Sequence, residues 1–154
     1  MSRYLADRGC RVEGVDLSPN MIAMARWDHS DLSLTVGSLL ELPCPADQFT
    51  GVMLWCSIIH TPPAGQARIF AEAARVLRPG GHLLVGFQSG AGTHGVSPAY
   101  RRFGHEIELQ RHRYTADEVA AQLGAVGLTE VCRLVCRAQR QERDDQAALL
   151  AVAD

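Results

Sequence analysis

Strand and helix patterns alternate along almost the whole of this 154-residue chain. The predicted strands lie at 12–15, 32–36, 51–55, 82–87, 128–137 and 146–152. Helical patterns end near residue 8, begin at Pro19, cover 70–77 and run from Thr115 to Gly127. Such alternation predicts an α/β fold with a mostly parallel sheet, and the last two strands predict an antiparallel edge pair. The strand at 51–55 is nearly all apolar, which predicts burial on both faces.

Length and composition indicate one domain, residues 1–154, with 47% hydrophobic residues. The formal charge of −2 gives no general attraction to nucleic acid or to anionic membranes. No secretory leader is visible, and no apolar stretch reaches the roughly 18 residues of a membrane span. All 15 basic residues are arginine, which excludes Schiff-base lysine chemistry.

The five cysteines are scattered and form no CxxC pair, so we expect free thiols in a reducing cytoplasm. Cys132 and Cys136 share one face of a predicted strand, and core packing is favoured there over metal binding. The six histidines also lack metal-ligand spacing. The sequence therefore predicts no metal site.

Asp16 closes the apolar run at 12–15 and is followed at once by a helix start at Ser18 and Pro19. An acidic residue at the carboxyl end of a parallel strand can accept hydrogen bonds from both hydroxyls of an adenosine ribose. A solvated aspartate before a helix cap is the alternative. The pattern predicts a nucleotide-binding position at Asp16.

Four segments together are similar to the signatures of class I S-adenosylmethionine-dependent methyltransferases. Residues 14–21 (GVDLSPNM) resemble the second-strand signature of that family, and 37–43 (GSLLELP) resemble the third. Residues 49–60 (FTGVMLWCSIIH) resemble the fourth strand and its turn, and 74–83 (ARVLRPGGHL) resemble the entry to the fifth. The resemblance implies a Rossmann-like, doubly wound sheet and S-adenosyl-L-methionine as cofactor.

The resemblance also implies which residues contact the cofactor. Asp16 would hold the ribose, Leu17 and Met21 would lie against the adenine, and Ser38 would bond the adenine amino group beside Leu39. Trp55 ends the predicted fourth strand and Cys56 follows it, and both would face the cofactor. Plain core packing is the alternative for Met21 and Trp55.

His60 is the one weak candidate for a catalytic base; a structural histidine is the alternative. Residues 88–113 form a long predicted loop rich in Gly, Ser, Arg and His, which is typical of a functional insertion. Its basic residues can attract an acidic substrate, although a solvated lid is favoured. These residues are Arg101, Arg102, His105, Arg111, His112 and Arg113.

The family's first strand and glycine-rich turn have no counterpart before Asp16. We therefore expect the domain to be incomplete at its amino end, with a central strand absent between the strands at 12–15 and 51–55. Two alternatives are direct pairing of those strands and donation of a strand by a partner chain. The expected function is methyl transfer to a small molecule; the alternatives are a nicotinamide-dependent oxidoreductase or a non-catalytic scaffold.

Overall fold

The computed structural model describes residues 1–95, 110–139 and 143–154, which form two compact units, Met1–Cys44 and Pro45–Asp154. The helices are α1 (Ser2–Ala6), α2 (Pro19–Asp28), α3 (Pro63–Val76) and α4 (Ala116–Gly124). The strands are β1 (Glu13–Asp16), β2 (Ser33–Val36), β3 (Phe49–Trp55), β4 (Leu77–Ser89), β5 (Thr93–Gly95), β6 (Gln110–His112), β7 (Leu128–Cys136) and β8 (Asp145–Ala153).

The first unit is built around the parallel pair β1–β2. Gly14 allows this pair to pack closely, because a Cβ atom at residue 14 would lie 2.6 Å from Cδ2 of Leu34. Leu34 and Ile22 of α2 are buried. Met21 and Met24 are exposed, so the helix face on which their spacing places them does not pack into a core.

The second unit contains a four-stranded sheet in the order β3-β4-β8-β7. β3 and β4 are parallel, while β8 is antiparallel to both β4 and β7. The predicted α/β class and the antiparallel closing pair are therefore confirmed.

Helices α3 and α4 contact this sheet, α3 on β4 and α4 on β7 and β8. Inward residues alternate along the strands, as in Leu83, Val85 and Phe87 of β4, which are all buried. α4 begins with the predicted capping box: Thr115 Oγ1 accepts from the Glu118 amide, and the Glu118 carboxylate accepts from the Thr115 amide.

Two burial predictions are wrong. In β3 only Leu54 is buried, because β3 lies at the edge of its sheet in the described part of the chain. Cys132 and Cys136 do share one face of β7, but both are exposed, since β7 forms the opposite edge. Core packing therefore does not account for these two thiols.

Within the described residues, β1 is hydrogen-bonded to β2 in one sheet, whereas β3 is hydrogen-bonded to β4 in another. The 88–113 segment is not wholly irregular, because β5 and β6 pair within it as antiparallel strands. No helix in the described ranges combines the length and apolar character needed to cross a membrane.

Candidate functional site

The carboxyl ends of β1 and β2 bring two of the predicted cofactor-binding segments together. Asp16 lies opposite Val36 in the parallel register. Its carbonyl accepts a hydrogen bond of 3.0 Å from the Gly37 amide, which leads directly into Ser38. A side chain at residue 37 is excluded, since its Cβ would lie 2.9 Å from the Pro43 ring. The strand ends therefore hold Asp16 and Ser38 at one edge of this unit.

The Asp16 carboxylate is oriented by the turn that starts α2. Its Oδ1 accepts from the Ser18 amide at 2.8 Å, an Asx-type turn. Ser18 in turn caps the helix by accepting from the Met21 amide at 3.3 Å. The second carboxylate oxygen has no partner among the described residues, and Asp16 is exposed. One oxygen thus fixes the side chain while the other can accept a ligand's hydroxyl.

The side chains around Asp16 supply apolar surface and a hydroxyl. Leu17 is 75% exposed and Met21 57%, so both side chains offer apolar surface to a ligand. Ser38 Oγ accepts from the Leu40 amide at 3.1 Å, so its own proton is left to donate. Leu39 beside it is half-buried. Four of the five predicted residues of this unit therefore lie at or next to the carboxyl ends of its two strands, and Met21 lies in the first turn of α2.

Trp55 ends β3 and lies over Gly86 of the neighbouring strand. A Cβ atom at residue 86 would come within 2.5 Å of Trp55 Cε3, so only glycine fits there. The indole is nevertheless 50% exposed. Trp55 is therefore not the buried core residue of the alternative interpretation, and its role as a cofactor contact stays a prediction.

Cys56 follows with a left-handed backbone, φ 53°. This conformation is costly for a residue with a side chain, by about 1–2 kcal/mol. The Cys56 amide donates to the Gly86 carbonyl at 2.7 Å, and its Sγ accepts from Gln88 Nε2 at 3.7 Å. Strained turns of this kind concentrate at functional sites. No sequence pattern indicated this backbone strain, and cofactor contact at Cys56 stays a prediction.

His60 is exposed at the end of a short 3-10 helix, Ile58–His60. Its Nδ1 lies 3.2 Å from the carbonyl oxygen of Gln110 in β6. A carbonyl can only accept, so Nδ1 carries the proton and Nε2 of the neutral ring keeps its lone pair. This arrangement suits a base, and a catalytic role for His60 stays a prediction.

A second hydrogen bond joins the turn after β3 to the segment around β6, at Thr61, the residue after His60. Tyr114 Oη donates to the Thr61 carbonyl at 2.7 Å. Burial raises the pKa of the Tyr114 phenol, so the hydroxyl stays protonated and available as a donor. The turn after β3 is thereby held against the strand that precedes α4.

Two of the basic residues in the 88–113 segment pair with a buried carboxylate, whereas the favoured prediction was a solvated lid. Arg111 Nη2 and Arg113 Nη1 lie 2.8 and 3.0 Å from the two oxygens of Asp144, whose carboxylate is buried. These two arginines therefore do not belong to a solvated lid. Arg101, Arg102 and His105 lie outside the described residues.

Asp144 was not singled out from the sequence. It stands in an acidic pair, Asp144-Asp145, just before β8, where nothing in the local pattern separates a buried carboxylate from a solvated one. The alternation Arg111-His112-Arg113 was the available signal, since it places both guanidinium groups on one face of a strand. Among the described residues, no group of three side chains is arranged to hold a metal ion.

The sequence matches a protein-family model described as a methyltransferase domain over residues 1–81. Among curated relatives, malonyl-[acyl-carrier protein] O-methyltransferase of Serratia marcescens is 29% identical over 72% of this chain and 41% of its own length. Arsenite methyltransferase of Halobacterium salinarum is 34% identical over 48% of this chain and 20% of its own length. The chain thus spans less than half the length of these relatives.

Solved structures show the same fold. A methyltransferase from Methanosarcina mazei superposes with a TM-score of 0.81 at 18% identity, covering 99% of this chain and 86% of that one. The 1,6-didemethyltoxoflavin-N1-methyltransferase of Burkholderia thailandensis, solved with S-adenosylhomocysteine, gives 0.76 at 21% identity, covering 99% and 65%. The predicted family and Rossmann-like fold are confirmed, and the neighbour solved with S-adenosylhomocysteine supports S-adenosyl-L-methionine as the predicted cofactor. Because the family model covers more than half of the chain, this protein belongs to the class I S-adenosylmethionine-dependent methyltransferases.

Proposed function

We propose that this chain binds S-adenosyl-L-methionine through Asp16 and transfers its methyl group to a small-molecule acceptor. The observation that carries the proposal is the Asp16 carboxylate, which is held by the Ser18 amide through Oδ1 and keeps its other oxygen available. A ribose offers two adjacent hydroxyls as donors, and hydrogen bonds to a carboxylate are about twice as strong as neutral ones.

The neighbouring residues fit an adenine. Leu17 and Met21 offer exposed apolar surface next to Asp16, and the Ser38 hydroxyl is placed at the adjacent strand end with a proton to donate. Leu39 completes this set by its position after Ser38. The proposed roles are a ribose clamp for Asp16, adenine packing for Leu17, Met21 and Leu39, and a polar contact to the adenine edge for Ser38.

The bound cofactor would supply a methyl group on a sulfonium, which carries its own activation. The chain's own residues then have the tasks of binding, orienting and, where the acceptor requires it, removing a proton. His60 is the proposed base, because Gln110 fixes its Nδ1 proton and leaves Nε2 to accept. The curated relatives include methyltransferases that act on small molecules, such as the demethylmenaquinone methyltransferase of Tropheryma whipplei, which supports a small acceptor.

Calorimetric titration with S-adenosylhomocysteine tests the proposal. Asp16→Ala should weaken binding by about 1.5–3 kcal/mol, the usual worth of a hydrogen bond to a charged group. Asp28→Ala is the matched control, since it removes an exposed carboxylate at the far end of α2. An unchanged affinity in Asp16→Ala would remove this residue from the site. Binding of a nicotinamide cofactor in place of S-adenosylhomocysteine would favour the oxidoreductase alternative.

A further inference from the structure

A cavity of about 240 Å³ lies in the second unit, beside the carboxyl end of β4, whose last residue Ser89 pairs with Tyr114 of the cavity lining. Its lining includes Pro63, the first residue of the helix after β3, and Gly92, in the turn after β4. Ligands of open α/β sheets bind at this edge. The volume is below the roughly 300–1,000 Å³ of drug-sized pockets and therefore suits a small molecule.

One wall of the cavity carries surplus positive charge. This wall is the pair β5–β6, with Thr93, His112 and Arg113. Arg113 shares the single carboxylate of Asp144 with Arg111, so two positive charges meet one negative charge. The wall can therefore bind a further anionic group.

Helix α4 contributes a negative charge to another wall of the cavity. Glu118 lines the cavity, and its Oε2 accepts from the amide and hydroxyl of Thr115 at 2.7 and 2.9 Å. Its Oε1 has no partner among the described residues. Gln122 follows one turn later and also lines the cavity. This wall therefore offers one carboxylate oxygen as an acceptor, and one negative charge.

Arg113 and Glu118 face the same cavity, yet no ion pair joins them in the described residues. Unpaired charges next to a cavity are satisfied by water or by a ligand of matching charge. We propose that the cavity binds a small amino-carboxylate, with the carboxylate at Arg113 and the ammonium group at Glu118. Identifying this ligand as the methyl acceptor rests on the function proposed above, whereas its binding does not.

Three probes of one shape separate the two charges. L-valine carries both, isovalerate keeps the carboxylate alone and isobutylamine keeps the ammonium group alone. In NMR titrations of the full chain, valine should bind at least about tenfold more tightly than either analogue, which corresponds to about 1.4 kcal/mol. Equal binding of the three probes, or tighter binding of a singly charged one, would overturn the proposal.

Glu118→Gln tests the ammonium side without removing the helix cap, because glutamine also serves at this position of a capping box. We expect this variant to lose at least about tenfold in affinity for valine and to bind isovalerate as before. Asp117→Asn is the matched control, since Asp117 lies on the same turn but is 90% exposed and pairs with Arg133. It should leave both affinities unchanged.

The two proposals fail separately. If valine does not bind while S-adenosylhomocysteine still binds in an Asp16-dependent manner, the amino-carboxylate assignment is wrong and the proposed methyl transfer stands. If valine binds in a Glu118-dependent manner and S-adenosylhomocysteine does not bind, the cavity is a ligand site and the proposed methyl transfer is wrong.

Discussion

Trp55 and Gly86 are coupled across the parallel pair β3–β4, where the indole occupies the space that a side chain at residue 86 would need. The two residues are directly opposite in the register. The ideal Cβ position at residue 86 is 2.5 Å from Cε3 and 2.6 Å from Cζ3 of the indole. A rigid ring atom cannot yield as the end of a flexible side chain can, so any larger residue at 86 must displace Trp55.

Gly86→Ala should therefore destabilise the protein by about 1–3 kcal/mol, the usual cost of overpacking. Chemical denaturation measures this change in the free energy of unfolding. In the double variant with Trp55→Ala the penalty of the added methyl group should largely disappear, because the clashing ring is gone.

Gly51→Ala is the control, since a Cβ at residue 51 would meet only the His82 carbonyl oxygen at an ordinary 3.8 Å. A penalty in Gly86→Ala that persists in the absence of Trp55 would show that the glycine is required for another reason. The stability penalty of Gly86→Ala would then be independent of Trp55.

His60 provides the second prediction, which concerns its tautomer. Because Nδ1 faces the Gln110 carbonyl at 3.2 Å, the neutral ring should carry its proton on Nδ1. Long-range ¹H–¹⁵N NMR spectra recorded above the histidine pKa distinguish the two ring nitrogens. We expect Nε2 to show the shift of an unprotonated nitrogen.

His94 is exposed in β5 and serves as the comparison histidine. Protonation of His60 at Nε2 in the neutral ring would contradict the observed hydrogen bond and would leave no lone pair on the free side of the ring. A base at His60 would then be untenable, while the binding role of Asp16 would be unaffected.

The fold could be predicted from the sequence because periodicity and end signals agreed in most elements. The Thr115–Glu118 capping box fixed the start of α4, and the two closing strands were placed within a few residues of their observed bounds. Asp16 was placed correctly at a strand end for the same reason, since an acid before a capped helix is a local pattern.

Burial could not be predicted equally well, because it depends on which strands lie beside each other. The apolar composition of β3 indicated burial on both faces, yet β3 is an edge strand and only Leu54 is buried. The burial of Asp144 could not be predicted for the same reason, because the two arginines that pair with it are more than 30 residues away in the sequence. Long-range ion pairs leave no periodic signal.

Asp144 carries the last prediction. Its buried carboxylate joins the start of β8 to Arg111 and Arg113 of the β6 region, one oxygen for each arginine. Asp144→Asn keeps the shape of the side chain and removes the charge, so two arginines lose their shared counter-ion. Removing one partner of a fully buried pair costs about 3–5 kcal/mol. Both arginine side chains keep 23% exposure, so we expect a loss of up to about 3 kcal/mol in thermal or chemical unfolding.

Asp145→Asn is the matched control for this loss. Asp145 is adjacent and exposed, and its Oδ1 accepts from the Ala138 amide at 2.8 Å, a bond that the asparagine oxygen can replace. The same change of charge should therefore cost less than about 0.5 kcal/mol there, as surface substitutions usually do. Equal losses in the two variants would mean that Asp144 acts through net charge alone. A larger loss in Asp144→Asn, with reduced hydrogen-exchange protection of the Gly90 and Arg113 amides that join β6 to the turn after β4, would establish it as the anchor of this segment.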